Sequence, residues 1–425
     1  MLDLIFHVKP HYSFQSQTPR STGGRVMQSA RSVAGFWILA ALFLVAVASS
    51  AVPSPLYPIY AQAWGLTPFE LTVVFAAYML GILVSVLVAG RLSDHVGRRP
   101  VLVVGTLGIV LSHVLLAAAD GFGALVTGRL EQGLAVGVTL GALGAALIDN
   151  APVKNPALAS TLNAALPAFA LATGSLASGA LVEWAPAPQQ LVYIVFGSLL
   201  VLLTLALFVV PDGAVRRPGA LRSLRPAVFV PSGSRTIFRD SAGSIVAAWA
   251  IGGLFLSLVP SALLADFDIS NHFTAGVLIA VVTATGGLTA LLLQRTDARR
   301  ALLVGLVALI LGSALTVASF LTHFLPGVVA AAVIAGVGFG AGFQAPVRLV
   351  LATAPATDRA GLISAIYVVS YVAYGLPALV AGLLVPAFGL PAVIAGYGVF
   401  VALAASVALA LQSGSRTRQV ITTVP

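Results

Sequence analysis

Gly90-Arg91-Leu92-Ser93-Asp94-His95-Val96-Gly97-Arg98-Arg99-Pro100 is the stretch on which the fold turns. Long apolar runs precede and follow it. Three Arg, one Asp and two Gly fill a link too short to be a domain. A charged link between two segments of bilayer length is a membrane hairpin, and its Arg content assigns it to the cytoplasmic face. Gly97 suits the reversal, because glycine enters backbone conformations that other residues avoid.

Composition carries this reading to the rest of the chain. Of 425 residues, 59% are apolar and only 8% charged, with a mean hydropathy of +1.03. Soluble domains carry about a quarter charged residues, so the chain is a polytopic membrane protein. Its apolar runs last about 20 residues or more, which is helical length; barrel strands would alternate in much shorter segments. The 42 Gly suit close helix packing in lipid. No Cys is present, which removes disulfides, thiolate metal sites and thiol chemistry. No Gly-x-x-x-x-Gly-Lys-[Ser/Thr] loop argues for ATP as a driver. No His-rich or Cys-rich cluster argues for a metal, and no soluble catalytic domain is visible, so neither a cofactor nor an enzyme is expected.

Spans are expected near 33–52, 69–90, 100–119, 121–147, 158–184 and 189–210. A second set is expected near 243–264, 273–293, 301–321, 326–353, 361–386 and 390–411. The polar stretch 211–242, with six Arg and four Pro, reads as a basic linker between a bundle at 33–210 and a bundle at 243–411. Residues 1–32 and 412–425 read as tails. Within the first, the polar 1–26 stands before Met27 and reads either as a tail or as a start assigned too early. With this division every Lys and Arg except Arg129 lies on one face, while the opposite loops hold only acids such as Glu70, Asp120, Glu183, Asp266 and Asp268. Both termini are therefore expected to be cytoplasmic. The cations serve orientation, so no nucleic-acid partner is expected despite a net charge of +9. A constant shift places Gly133 on Gly336, Gly137 on Gly340, Ala151-Pro152 on Ala354-Pro355 and Asp94 on Asp297, as a duplicated half would.

Gly90, Leu92, Asp94, Gly97, Arg98 and Arg99 match the pattern G-x-L-x-D-x-x-G-R-[RK]. In this the chain resembles the major facilitator superfamily of secondary transporters, whose hallmark loop joins helices 2 and 3. Leu125, Arg129, Gln132 and Gly133 resemble a second family signature on helix 4, where the Arg is implied in coupling protonation to substrate movement. The resemblance covers roughly 30–412. It implies an all-α integral membrane fold of twelve helices in two pseudo-symmetric six-helix bundles, working by alternating access. It also implies a cytoplasmic gate in which Asp94, Arg98 and Asp149, an acid ending helix 4, form a charge network that meets helix 11 near Gly361 to Ser364. In the fifth span, Gly174, Ser175, Ser178 and Gly179 stand where antiporters of the family carry G-P-x-x-G-G. Ser175 replaces the Pro and Ser178 a Gly.

Other residues carry the remaining expectations. A lone Arg inside a span costs about 2.5–3.5 kcal/mol on the insertion scale, so Arg129 must meet a cavity or a partner, or snorkel to the outer interface. Glu131 sits about 200° round the same helix and does not share its face; it reads as an interfacial carboxylate or a proton site. His113, inside the third span, reads as a core histidine or as a group that titrates near neutral pH. Substrate contacts are sought at Trp249, Gln344, Tyr367, Tyr371 and Tyr374, the last three sharing one helix face, with packing or an interfacial belt as the alternatives. With little fixed charge among these, neutral, amphipathic or mildly charged organic compounds are favoured. The reading is a secondary transporter of small organic compounds in the inner (plasma) membrane, an exporter driven by protons and acting as a monomer. Uptake of a metabolite or sugar by symport or facilitated diffusion, and a non-transporting membrane sensor, are the alternatives.

Overall fold

The computed structural model describes residues 22–212, 218–355 and 357–422, with side chains described for 33–212, 218–355 and 357–412. The expected tails and Arg216 and Arg217 of the linker fall wholly or partly outside these residues. Twelve long helices follow in order: α1 Thr22–Ala48, α2 Pro68–Ala89, α3 Arg98–Ala117, α4 Phe122–Asp149, α5 Ala157–Trp184, α6 Pro188–Ala206, α7 Arg235–Ser257, α8 His272–Leu293, α9 Ala298–Leu321, α10 Leu325–Ala352, α11 Arg359–Phe388 and α12 Leu390–Thr422. Eleven are long and apolar enough to cross a bilayer, and α1 adds the shorter apolar stretch Val33–Ala48. No strand occurs among the described residues. The chain is a multi-pass α-helical membrane protein. Large apolar side chains such as Val104 (69%) and Leu292 (69%) stand exposed. In lipid these positions cost nothing, because the surroundings are as apolar as the core.

Local chemistry sets several boundaries. Thr67 and Glu70 form a capping box at the start of α2: Glu70 N–H donates to the Thr67 hydroxyl at 3.2 Å, and Thr67 N–H to the Glu70 carboxylate at 2.8 Å. Gly97 has φ 104°, the conformation the α2–α3 reversal was expected to need. Asp297, the counterpart of Asp94 by sequence shift, caps α9 by accepting from Arg300 N–H at 3.1 Å.

Two helices break near the end that carries the acids. After α1 the chain turns through Ser49–Pro53 and continues as Tyr57–Trp64. After α7 it bends at Leu258 into Val259–Phe267. The first span therefore reaches beyond the expected residue 52, because Pro53, Pro55 and Pro58 interrupt the helix without ending it. The linker is also shorter than expected: α7 begins at Arg235, its charged first turns extending a helix that hydropathy alone starts at 243.

Glycines set the tightest crossings. A side chain at Gly133 of α4 would strike the Tyr78 carbonyl of α2. One at Gly336 of α10 would strike the Val282 carbonyl of α8. The pair related by the sequence shift thus performs the same packing task twice. Helices α1 to α6 pack mainly on one another, as do α7 to α12, and the main contacts across are α5 with α8 and α2 with α11.

Candidate functional site

The break in α1 builds the most polar part of the interior. Interrupting the helix frees backbone carbonyls that lipid could not satisfy. Arg129 of α4 donates through Nη1 to the Ser50 carbonyl at 3.2 Å and to the Gln132 side-chain oxygen. Gln132 Nε2 donates to the Ser49 carbonyl at 3.0 Å. Ser178 of α5 donates to the Val52 carbonyl at 2.6 Å. The Arg129 guanidinium also lies 4.3 Å from the Tyr78 ring centre, and Tyr78 donates to the Ser50 hydroxyl at 2.7 Å. Arg129 is only 1% exposed, so it does not snorkel; carbonyl dipoles and a π face hold its charge. His113 is buried beside this group, its Nδ1 bonding the Ile109 carbonyl at 2.8 Å and its ring edge-on to Tyr193. Tyr193 meets Tyr60 through their hydroxyls at 2.8 Å.

Glu131 sits apart, as its angular position requires. Its carboxylate lies against Gly108 of α3, half-buried, with no hydrogen-bond partner among the described residues. Among the described residues it is the one acid lying more than two turns from both ends of its spanning helix.

At the end bearing the basic loops, Arg98 gathers the two acids of the expected gate. It pairs with Asp94 and donates through Nε to Asp149 at 3.1 Å and through Nη1 to Ser93 at 2.8 Å. Arg99 donates to the Val210 carbonyl, tying this loop to the end of α6. The gate network stays within the first six helices. At α11 it is the linker that makes contact: Phe229 N–H donates to the Gly361 carbonyl at 3.4 Å and its ring covers Gly361.

A cavity of about 500 Å³ lies between α11 and helices of the first six. Its walls come from α1, α2, α4, α5 and α11, with Gly90, Arg91, Asn163, Ser364 and Tyr367 among the lining residues and Ser223 of the linker at its rim. The opposite end is sealed. Gly276 of α8 presses on the Ser175 carbonyl of α5, and Gly382 of α11 on Thr72 of α2. Phe75 of α2 stands edge-on to Tyr374 of α11 at 5.2 Å. Glu183, ending α5, accepts from His272 N–H at 2.9 Å and faces His272 Nδ1 at 3.3 Å.

Of the five residues expected in a substrate cavity, only Tyr367 lines this one. Tyr371, Tyr374 and Trp249 continue inward from it as an aromatic cluster: Trp249 stands 5.3 Å from Tyr371, 5.1 Å from Tyr374 and 5.2 Å from Phe343. The seal between α2 and α11 closes over them. Trp249 Nε1 is buried without a partner. Gln344 is half-buried on α10 and lines no part of the cavity. Sequence reasoning missed the carbonyls of Ser49, Ser50 and Val52, and also Arg91 and Asn163. The Pro53-x-Pro55-x-x-Pro58 spacing was the available signal for the first group.

Comparison with known proteins adds the following. The family model described as Major Facilitator Superfamily matches residues 38–317. Over 123 residues the chain is 31% identical to the multidrug resistance protein MdtL of Klebsiella pneumoniae (strain 342), covering 28% of this chain and 31% of that protein. Over 241 residues it is 26% identical to the MdtL of Salmonella paratyphi B, covering 51% and 56%. The chain thus spans between about a third and just over half the length of these curated relatives. Among solved structures, a bacterial homolog of the human lysosomal transporter Spinster, inward-facing and unoccupied, aligns with TM-score 0.73 and 16% identity, covering 90% of this chain and 97% of that one. A mutant of the nucleoside transporter NupG aligns with TM-score 0.70 and 12% identity, covering 89% and 99%. At these identities the likeness is one of fold.

Proposed function

Since the chain belongs to the Major Facilitator Superfamily, we propose that this transporter exports small organic compounds by alternating access, driven by protons. The observation that carries the reading is the asymmetry of the interior. A cavity opens at the basic end, while α5 against α8 and α2 against α11 close the acidic end. A cycle needs the opposite arrangement as well, reached by rocking the bundle at 33–210 against the bundle at 243–411. Placing the basic end in the cytoplasm, with both termini there and the chain a monomer in the inner membrane, follows the positive-inside rule and makes the cavity a site of cytoplasmic loading. Efflux is supported by the likeness to multidrug resistance proteins.

In this scheme Asp94, Arg98 and Asp149 await an α11 partner. When the basic end closes, the N-terminus of α11 approaches them, and a carboxylate there gains about 0.3–1 kcal/mol. Glu131 is the proton carrier by position, facing α3, and Arg129 with Gln132 on the other side of the same helix carries a shift of α4 to the α1 break. The test is an interior pH dye in proteoliposomes holding the purified protein, with amphipathic ions, sugars and amino acids added in turn. Substrate-dependent proton movement opposite in direction to the substrate supports antiport. Movement in the same direction would mean uptake by symport. Tracer counterflow without proton movement would remove Glu131 and Arg129 from coupling, and no counterflow at all would mean a sensor.

A further inference from the structure

We propose that the cavity at the basic end selects organic anions and uncharged amphiphiles over lipophilic cations, with Arg91 and Asn163 as its polar contacts. This rests on the transport reading above and narrows it to a substrate class. The cavity, about 500 Å³, has the size of a small-molecule site. Its walls are mostly apolar, and the lining holds one formal charge, Arg91, and no carboxylate.

Basic residues are expected at this end on topological grounds alone, so the presence of Arg91 decides little. What decides is how the charges are paired. The two nearest-placed acids, Asp94 and Asp149, are both engaged by Arg98. Arg91 has no ion-pair or hydrogen-bond partner among the described residues, and the linker residues that join it in the lining, Ser223 and Ala227, bring no acid. A ligand cation entering this space would meet only like charge and would leave water without a counter-ion. A ligand anion would gain one.

Asn163 supplies the second contact. It projects from α5 into the cavity wall and has no hydrogen-bond partner among the described residues. Gly144 of α4 makes room for it: a Cβ there would stand 2.9 Å from the Asn163 side-chain oxygen. An amide left open in an apolar wall offers donors to a carboxylate or sulfonate and an acceptor to a neutral hydroxyl. The Tyr367 hydroxyl on the facing α11 adds one more donor, while Ser364 gives its proton to the Ala360 carbonyl at 3.1 Å and offers only lone pairs.

The chain has no Cys, so Ser364→Cys places a single thiol in the cavity wall. Its labelling by a water-soluble maleimide is timed in the purified full-length protein. Naphthalene-2-sulfonate and naphthyltrimethylammonium, alike in body and opposite in charge, are added separately. The sulfonate is expected to slow labelling about five-fold or more, and the ammonium ion to leave it unchanged. Adding Arg91→Gln should remove most of the protection, and adding Asn163→Asp should transfer it to the ammonium ion, with thermal unfolding confirming each variant is folded. Equal or better protection by the ammonium ion overturns the proposal. So does labelling that the sulfonate cannot slow at any soluble concentration. These binding results leave the transport reading to be judged by flux, so the two fail separately.

Discussion

Arg129 is a permanent charge in the interior of a membrane protein, held by the Ser50 carbonyl, the Gln132 amide and the Tyr78 ring rather than by an acid. Nη1 alone makes both hydrogen bonds while the flat guanidinium lies over the Tyr78 ring, and the shorter, non-planar lysine ammonium cannot keep both contacts. Arg129→Lys should therefore keep the charge but lose about 1.5–3 kcal/mol of hydrogen bonding. We expect a lower thermal unfolding midpoint in detergent and counterflow reduced about ten-fold or more; wild-type counterflow from this variant would mean that charge alone suffices. Asp94 behaves differently. It is partly exposed, and Arg98 retains Asp149 without it. Asp94→Asn should leave insertion and stability nearly unchanged, since such pairs contribute about 0–1 kcal/mol, yet impair transport. Normal transport at normal expression would remove Asp94 from the gate. At this scale the sequence was informative about which side chains are chemically unusual, because an Arg in an apolar run stands out. It was silent about their partners, because Ser49, Ser50 and Val52 contribute backbone carbonyls that have no sequence signature.

At the scale of elements, helix number and order were legible, since apolar runs of bilayer length are hard to mistake. The ends of α1 and α7 were not. Prolines normally end a helix, and here Pro53, Pro55 and Pro58 bend a segment that resumes at Tyr57, its freed carbonyls met by α4 and α5. The charged first turns of α7 looked like linker for the converse reason: hydropathy measures lipid contact, and this helix starts beyond it, at Arg235. The duplicated glycines give an element-level prediction. Gly133→Ala and Gly336→Ala each place a Cβ against backbone that cannot move aside. Overpacking of this kind costs about 1–3 kcal/mol, so both variants should unfold at lower temperature in detergent. Gly396→Ala, with nothing within 4 Å, should be neutral or mildly stabilising. Equal midpoints for all three would contradict the assigned α2–α4 and α8–α10 crossings.

At the scale of the whole molecule, the cavity residues were the least legible feature, because they depend on the state as well as the fold. Tyr371, Tyr374 and Trp249 face the right region but lie under the seal between α2 and α11, whereas Arg91 and Asn163 are uncovered at the open end. The account's central claim is that this seal must open for transport. Met79 and Gly375 test it directly, since a Cβ at Gly375 would stand 3.4 Å from the Met79 Cβ, close to the separation of about 3.5–4.5 Å that a disulfide spans. In the otherwise Cys-free chain, Met79→Cys with Gly375→Cys should cross-link under mild oxidation. The measurement is tracer counterflow in proteoliposomes before oxidation, after it and after reduction. The account predicts activity that disappears as the cross-link forms and returns when it is reduced. Counterflow that persists at full cross-linking would contradict it, because substrate would then be crossing without the acidic end opening.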